Sequence, residues 1–405
     1  MKVLSLVGAG CSGNNIEFAP GLQHRSAILA GVAMPEVNMT TIREAEDSGV
    51  TMPKVTLGRS GLEVSVIGWG SGGAFSRPDE LEPIWEEASG LGLNFIDTAP
   101  SYGTSEDLIG DQLSQRRSEF VLTTKSHPVD ADTTLREIET SLQRLKTDYV
   151  DLFYTPHGVG SEEQLASCFG KGGVMEGALK AKERGLVKHL GYSLDYFNSP
   201  FNPGRTRELI DTDIYDVVQL PYNLVPMEPV DEELIPFARE KGMGVVANFP
   251  SIQGLTALEW GIFYPTFKGL VDTPGQATFL GILCNPGIDV VLTQLVNVDR
   301  ARENCLAGVL HGMMSEGERA QLREEIVSKG PVRFLDRADV PEPWHGVNLR
   351  RFLIHLELYT RFGYGGSRRE VEVFATQLRD HPEWRFDNSL RDLIDEIRRG
   401  FPVLP

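Results

Sequence analysis

The sequence alternates between two hydrophobic periods from Met52 to about Leu310. Short apolar runs rich in β-forming residues are each followed by a stretch with apolar residues every three or four positions, the pattern of strands followed by helices. The strand runs lie at 65–70, 94–99, 120–125, 149–155, 187–194, 217–223, 244–249 and 288–295. Eight such units in about 260 residues match a closed parallel barrel. The sequence therefore predicts an α/β fold, a (β/α)8 TIM barrel.

An open, doubly wound sheet is the alternative arrangement of the same units. Such a sheet normally carries a glycine fingerprint after its first strand, and GSGG at 70–73 does not match that fingerprint. The helical stretches are amphipathic and capped, as the barrel requires. One helical face carries Leu135, Ile138, Leu142 and Leu145. In VDEELIPFAREKG, Asp231 lies near the start and Gly242 follows the end, which is the usual asymmetry of helix caps.

The barrel pattern leaves an extension at each end of the chain. We expect an irregular N-terminal extension over 1–51, the barrel over 52–312, and a helical C-terminal extension over 313–405. The first thirteen residues, MKVLSLVGAGCSG, contain G-x-G-x-x-G and a short apolar run. The next residues show no helical period, so a dinucleotide-binding βαβ unit is disfavoured. The apolar run is at the lower limit for a secretion signal.

Composition restricts the class of partner. The net charge of −18 disfavours nucleic acid and anionic membranes, which need clustered basic residues. The sequence contains no run of 18 or more apolar residues, so it predicts no membrane-spanning helix. The cysteines are far apart and form no CxxC pair: Cys11, Cys168, Cys284 and Cys305. This spacing favours neither a zinc site nor a disulfide framework, so we expect a cytoplasmic protein.

Polar residues gather where the strands end, and a barrel places its chemistry at the carboxyl ends of its strands. These residues are Asp97 with Tyr102 beyond it, Lys125 followed by His127, then His157, Ser193, Gln219 and Asn223. A single polar residue at a strand end is usually a cap or an ion-pair partner. An acid, an amine, a phenol and an imidazole on neighbouring strands are better explained as a functional site.

These groups suit the protonation of a carbonyl oxygen. Tyrosine has a pKa of about 10, and a neighbouring ammonium favours the phenolate. With Asp97 holding Lys125 charged, Tyr102 can donate a proton to an oxygen that becomes an alkoxide, and His157 can orient that oxygen. No side chain here supplies electrons. A hydride donor must therefore come from outside, and a nicotinamide is the usual one.

Several segments, in this order, resemble the aldo-keto reductase superfamily. They are LGRSGLEVSVIGWG, NFIDTAPSYGTSEDLIG, VLTTK, SLQRLKTDYVDLF, HLGYS and VVQLPYN, and the resemblance covers roughly residues 54–310. It implies a (β/α)8 barrel that binds NADP(H), or in some members NAD(H), and transfers hydride between the nicotinamide and a small carbonyl or alcohol substrate. By motif position, it implies catalytic roles for Asp97, Tyr102, Lys125 and His157.

The resemblance also implies a cofactor site. The implied residues are Ser193 and Gln219 at the carboxamide, Asn248 and Phe249 near the nicotinamide ring, and Gln294, Arg300 and Asn304 at the adenosine end. This chain departs from the family pattern at several of these positions. Leu194 stands where the family usually has asparagine, Asn248 where an aromatic ring is common, and Gln294 and Leu295 where phosphate-binding residues are usual. His157 lies one residue late unless Pro156 bends the chain, and His127 is the alternative.

The C-terminal segment PWHGVNLRRFLIHLELY resembles bacterial aldo-keto reductases with a ferredoxin-like extension. The chain has no cysteine after Cys305, so this extension lacks the thiolates of an iron–sulfur cluster. Two other functions stay open beside the reductase. One is a non-catalytic or regulatory cofactor-binding barrel. The other is a metal-dependent hydrolase using Asp97, His127 and His157, which Lys125 disfavours because its charge repels a metal ion.

Overall fold

The computed structural model describes eight segments of the chain. They are residues 39–72, 81–125, 130–157, 162–194, 203–222, 224, 229–250 and 266–328. Most of the expected N-terminal extension, up to residue 38, lies outside the described residues, as does the C-terminal extension from residue 329. His127 and Asn223 lie outside them as well.

The described strands form a two-stranded hairpin and a closed parallel barrel. The hairpin consists of β1 (Lys54–Thr56) and β2 (Glu63–Ser65). The barrel strands are β3 (Ile67–Gly70), β4 (Phe95–Asp97), β5 (Val121–Lys125), β6 (Val150–Tyr154), β7 (Val187–Ser193), β8 (Val217–Pro221), β9 (Gly244–Asn248) and β10 (Val290–Thr293). They follow one another in chain order around the barrel, and β10 pairs with β3 to close it. The predicted (β/α)8 TIM barrel is confirmed.

Helices alternate with the barrel strands. They are α1 (Ile42–Asp47), α2 (Leu81–Gly90), α3 (Ser105–Leu113), α4 (Ala131–Leu145), α5 (Glu162–Phe169), α6 (Val174–Glu183), α7 (Pro203–Asp211), α8 (Ile235–Glu240), α9 (Pro274–Leu283), α10 (Val298–Met313) and α11 (Glu316–Ser328). A 3-10 turn, Ser114–Glu119, follows α3, and a π-helical turn, Pro229–Leu234, precedes α8. No helix of the described segments is long and apolar enough to cross a membrane.

Helix α4 shows how the sequence pattern produces these elements. The Asp130 side chain accepts a hydrogen bond from Thr133 N at 2.7 Å and so satisfies one free amide of the first turn. Ile138, Leu142 and Leu145 of the predicted apolar face are buried against the barrel. The helix then ends in a left-handed residue, as helices commonly do.

The barrel contains an apolar core on which the β1–β2 hairpin packs. This inner core comprises Leu57, Val64, Phe95, Leu152, Tyr154, Val217, Val246, Val290 and Leu292. The carboxyl ends differ, because β4, β5, β7 and β9 finish on polar residues. These last residues are Asp97, Lys125, Ser193 and Asn248. The core therefore supports a layer of polar side chains at one mouth of the barrel.

The described part of the segment expected to be irregular, residues 39–51, contains helix α1, which packs on α10. Its start is fixed by a capping box in which Thr41 and Glu44 bond each other's backbone amides, and Ile42 is buried. Glu318, in the first turn of α11, accepts hydrogen bonds from the amide and the hydroxyl of Thr40. The start of the described chain is thereby attached to the helix that follows the barrel.

Candidate active site

A buried ion pair lies at the centre of the polar mouth. Asp97 and Lys125, the last residues of neighbouring strands, are each 3% exposed, and Lys125 Nζ lies 2.5 Å from Asp97 Oδ2. Asp97 Oδ1 accepts from Thr123 Oγ1 at 2.8 Å and from Gln219 Nε2 at 3.2 Å. Both carboxylate oxygens are therefore bonded, as a buried charge requires. The predicted Asp–Lys pair is present in the structure.

The ammonium of Lys125 faces the predicted proton donor. Lys125 Nζ lies 5.3 Å from the ring centroid of Tyr102, with which it also forms a hydrogen bond. Burial on its own lowers the pKa of Lys125, but the carboxylate of Asp97 and the contact with Tyr102 outweigh burial and raise that pKa above its ordinary value. Lys125 is therefore a cation held beside a phenol.

A tight turn positions Tyr102 above the ion pair. The Tyr102 amide donates to the carbonyl of Ala99, the Ser105 amide donates to the carbonyl of Tyr102, and Gly103 supplies a left-handed conformation with φ of +64°. A row of buried hydroxyls fixes the base of this turn, because Ser105 Oγ lies 2.7 Å from both Thr98 Oγ1 and Ser71 Oγ. The turn connects β4 to α3 and is fastened to the loop after β3.

Gly72 provides the space in which the Tyr102 ring lies. A Cβ atom added to Gly72 would lie 3.3 Å from Cζ and 3.4 Å from Cε2 of that ring. The carbonyl of Gly72 accepts a hydrogen bond from Gln294 Nε2, just after β10. Gln294 was expected to contact the cofactor, but its amide nitrogen is used in this contact with the loop beside Tyr102.

A second tyrosine, Tyr154, also faces the ammonium. Its ring centroid lies 5.6 Å from Lys125 Nζ, and its side chain is fully buried at the end of β6. Burial, together with the charge of Asp97, raises the pKa of Tyr154 well above its ordinary value. Tyr102 is half-buried and lies nearer the mouth. Of the two phenols, Tyr102 is the one placed to exchange protons with a ligand.

His157 is half-buried three residues beyond β6, and its Nδ1 is buried. The peptide bond between Thr155 and Pro156, just before it, is cis. The role of His157 at a substrate oxygen stays a prediction.

The metal-site hypothesis needs Asp97 as a ligand. That carboxylate is already bonded to Lys125 at one oxygen and to Thr123 and Gln219 at the other.

A hydrogen-bonded row extends from the ion pair along the next strands. Gln219 Nε2 donates to Asp97, while Gln219 Oε1 accepts from Ser193 Oγ at 2.8 Å and from Asn248 Nδ2 at 3.2 Å. A single network therefore joins Ser193 and Gln219, predicted at the carboxamide, to Asn248, predicted near the nicotinamide ring. Phe249 follows Asn248 in a left-handed conformation with φ of +49°, and it is 38% exposed at the barrel mouth.

The residues predicted for the adenosine end lie after β10 and on α10. Asn304 is buried, and its Nδ2 donates to Thr293 Oγ1 at 2.8 Å and to the carbonyl of Gln294 at 3.3 Å. The half-exposed guanidinium of Arg300 lies 2.7 Å from Glu303 Oε1. Arg300 therefore carries its own counter-charge. Leu295 is buried in the apolar core.

Sequence reasoning missed three residues that shape this site: Thr123, Tyr154 and Gly72. Two signals could have found the first two. Thr123 lies two positions before Lys125, and side chains two apart share a strand face. Tyr154 is the cross-strand partner of Lys125 in the β5–β6 register. The contact of Gly72 with Tyr102 depends on how two loops meet, which no local pattern shows.

The chain resembles known proteins of one family. Residues 66–258 match the Aldo/keto reductase family. The chain is 28% identical to L-galactose dehydrogenase of Arabidopsis thaliana over 62% of this chain and 86% of that protein. It is 29% identical to the uncharacterized oxidoreductase YqkF of Bacillus subtilis over 50% of this chain and 66% of that protein, just under two thirds of its length.

Solved structures show the same barrel. The aldo-keto reductase AKR11C1 from Bacillus halodurans superposes with a TM-score of 0.55 at 22% identity, over 72% of this chain and 98% of that one, which shows the shared fold. A thermostable aldo-keto reductase in complex with the inhibitor epalrestat superposes with a TM-score of 0.51 at 27% identity, over 67% of this chain and 99% of that one. The family match over residues 66–258 and the closed barrel make this chain similar to the aldo-keto reductases, whose members are NAD(P)-dependent oxidoreductases.

Proposed function

We propose that the protein transfers hydride between a nicotinamide and a small carbonyl or alcohol compound, with Tyr102 as the general acid and base. The observation that carries this proposal is the buried Asp97–Lys125 pair, whose ammonium hydrogen-bonds Tyr102. A fully buried charge pair is costly to maintain for stability alone, so its position against a half-exposed phenol favours a chemical role.

The proton transfer follows from this arrangement. During reduction, the Tyr102 hydroxyl donates its proton to the carbonyl oxygen, which becomes an alcohol. The phenolate that remains is stabilised by the Lys125 ammonium, and Asp97 keeps that ammonium charged and in place. During oxidation, the same phenolate accepts the alcohol proton. A bound nicotinamide supplies or accepts the hydride. His157 is proposed to hydrogen-bond the reacting oxygen and orient it.

The adenosine end of the proposed cofactor site offers a test of fit. Asn304 Oδ1 is buried and has no hydrogen-bond partner among the described residues. Its orientation is fixed, because Asn304 Nδ2 must face the Gln294 carbonyl, which can only accept. A buried acceptor without a donor costs free energy, and the amino group of adenine is a suitable donor. Asn304 therefore fits an adenine nucleotide.

The phosphate preference of the site is left open by its charges. Arg300 is the cation that we propose near the adenosine, and Glu303 partly neutralises it. A 2′-phosphate gains most from a cation without a competing carboxylate. We propose NADP(H) as the cofactor because of the resemblance to aldo-keto reductases, and the Glu303 carboxylate beside Arg300 keeps NAD(H) as the alternative.

The proposed substrate is a small aldehyde, ketone or sugar. Parts of the long loops that would select it, residues 158–161 and 251–265, lie outside the described residues. A relative named L-galactose dehydrogenase favours including sugars in any substrate panel. We propose the cytoplasm as the location, as expected from the sequence.

Two measurements test this function. Titration with NADPH and with NADH, followed by cofactor fluorescence, tests binding before any substrate is known. A panel of aldehydes, ketones and sugars then tests turnover in the wild type, in Tyr102→Phe and in Tyr149→Phe. Tyr149 serves as the matched control because it packs on Arg117 and Lys188, away from the site.

We expect Tyr102→Phe to bind the cofactor normally and to lose about 10²–10⁴-fold in reduction rate, as is typical when a general acid is removed. Tyr149→Phe should match the wild type in both. Turnover by Tyr102→Phe at the wild-type rate would contradict the proposed role. A wild type that binds cofactor but turns over no compound would favour the non-catalytic barrel.

A further inference from the structure

The hydrogen bonds around Gln219 have a direction that the charge of Lys125 imposes. Lys125 is a cation, so Asp97 is held as a carboxylate that can only accept. The amide nitrogen of Gln219 must therefore face Asp97, and its oxygen must face away. The oxygen in turn requires donors from Ser193 and from Asn248. Every amide in this row is consequently oriented by the ion pair.

The row ends at an acceptor without a donor. Because Asn248 Nδ2 points at Gln219, its oxygen points the opposite way. Asn248 Oδ1 is buried, and within the described segments it has no hydrogen-bond partner. Rotating the Asn248 amide by 180° would place its oxygen against the oxygen of Gln219, so this rotation cannot give Asn248 Oδ1 a donor. A ligand that presents a donor at this position would satisfy it.

We infer that Asn248 Oδ1 accepts a hydrogen bond from the carboxamide amine of the nicotinamide, and that Asn248 thereby selects an amide at this position of the ring. This inference rests on the proposed function and deepens it. The Ser193 hydroxyl has already donated its hydrogen to Gln219, so it too presents only lone pairs. The wall formed by Ser193 and Asn248 thus offers acceptors, which match the two N–H bonds of a carboxamide.

The inference also explains how the carboxamide site can lack a polar side chain at Leu194. This residue is buried in the apolar core and cannot bond a ligand through its side chain. The polar contact that an amide at that position would make is absent from β7. Asn248, two strands away on β9, supplies an amide to the same network through Gln219. In this inference, Asn248 makes the carboxamide contact that Leu194 cannot make. Asn248 stands where the family resemblance implies an aromatic ring stacked on the nicotinamide.

The test compares two oxidised nucleotides that differ only at this group. In the 3-acetylpyridine analogue of NADP+, a methyl group replaces the carboxamide amine and the carbonyl is retained. Dissociation constants for NADP+ and for this analogue are measured by quenching of protein fluorescence. The proteins are the wild type, Asn248→Leu and Asn304→Leu. The last is the matched control, because it removes the same type of side chain at the adenosine end.

We expect the wild type to bind NADP+ about fivefold to tenfold more tightly than the analogue, the value of one net hydrogen bond. Asn248→Leu should lose that preference while still binding the analogue, which shows that it folds. Asn304→Leu should weaken both ligands equally and keep the preference.

An equal affinity of the wild type for the two nucleotides overturns the inference without any variant. So does a preference that persists in Asn248→Leu. If the wild type binds neither NADP+ nor NAD+, the proposed function itself fails, and this outcome is distinct from the other two.

Discussion

Substituting alanine for Gly72 should disturb the active site by displacing the ring of Tyr102. The added Cβ would lie 3.3 Å from Cζ, 3.4 Å from Cε2 and 3.6 Å from Cε1 of the Tyr102 ring. Carbon atoms in contact prefer separations of about 3.5–4.0 Å, so the ring must move by about 0.3–0.4 Å. Since a misplacement of about 1 Å can cost about 100-fold in rate, we expect reduction to slow about fivefold.

The assay measures the oxidation of NADPH by a probe aldehyde, together with the dissociation constant for NADPH. Gly70→Ala is the matched control, because its Cβ would meet Leu292 Cβ and the Thr293 carbonyl only at 3.6 Å, an ordinary contact. We expect this control to retain the wild-type rate within about twofold. Cofactor affinity should be unchanged in both variants.

A double-mutant cycle tests whether Gly72→Ala acts through the Tyr102 hydroxyl. In a Tyr102→Phe background, Gly72→Ala should cause no further loss, because the ring that it displaces no longer donates a proton. The reasoning would be refuted if Gly72→Ala retained the full wild-type rate. It would also be refuted if the fivefold loss persisted after the hydroxyl of Tyr102 had been removed.

Four further predictions concern buried titratable groups. Asp97→Asn leaves the Lys125 ammonium buried without its charged partner, so urea unfolding should show a loss of about 3–5 kcal/mol in the free energy of unfolding. The control Glu316→Gln, at an exposed carboxylate, should cause no such loss. Because the pKa of Lys125 is raised, the Asp97–Lys125 pair contributes its full stability below pH 10.5, the ordinary lysine pKa, and this contribution declines only as the pH rises further. Unfolding measured at increasing pH would show this decline. Burial raises the pKa of Glu318, but hydrogen bonds from Thr40 and Ser315 outweigh it and lower that pKa to about 2. The contribution of the Glu318 carboxylate to stability is therefore present above pH 4.5 and lost as the pH falls towards 2. Glu318→Gln should lower the free energy of unfolding by about 1–2 kcal/mol at pH 7 and reduce the loss of stability at acid pH. An unchanged loss of stability at acid pH would contradict this. Burial lowers the pKa of His311 to about 4, so an NMR titration should show this imidazole neutral down to about pH 5, and protonation near the ordinary value of 6.5 would refute it.

Local patterns predicted the barrel because each strand and helix carries its own signal. The periodicity of α4 depends only on neighbouring residues, and the structure has the predicted buried face. The site was predictable to the same extent, since carboxyl ends of parallel strands meet at one mouth. Asp97, Lys125, Ser193 and Gln219 meet there in one network.

Contacts between distant loops were not predictable in this way. Gln294 bonds the carbonyl of Gly72 across 222 positions, and Glu318 bonds Thr40 across 278 positions. Such contacts depend on where the barrel brings two loops together, and they leave no periodic trace in the sequence. The orphaned oxygen of Asn248 is of the same kind, because it follows from the orientation of a neighbouring amide on another strand.

The charge of Lys125 beside Tyr102 is the central claim, and one experiment addresses it directly. Lys125→Met removes the ammonium while keeping a side chain of similar length. The purified variant is loaded with NADPH and mixed with the probe aldehyde, and the single-turnover rate of NADPH oxidation is recorded. We predict normal NADPH binding with a rate at least about 100-fold below that of the wild type. A loaded Lys125→Met that oxidises NADPH at the wild-type rate would contradict the account.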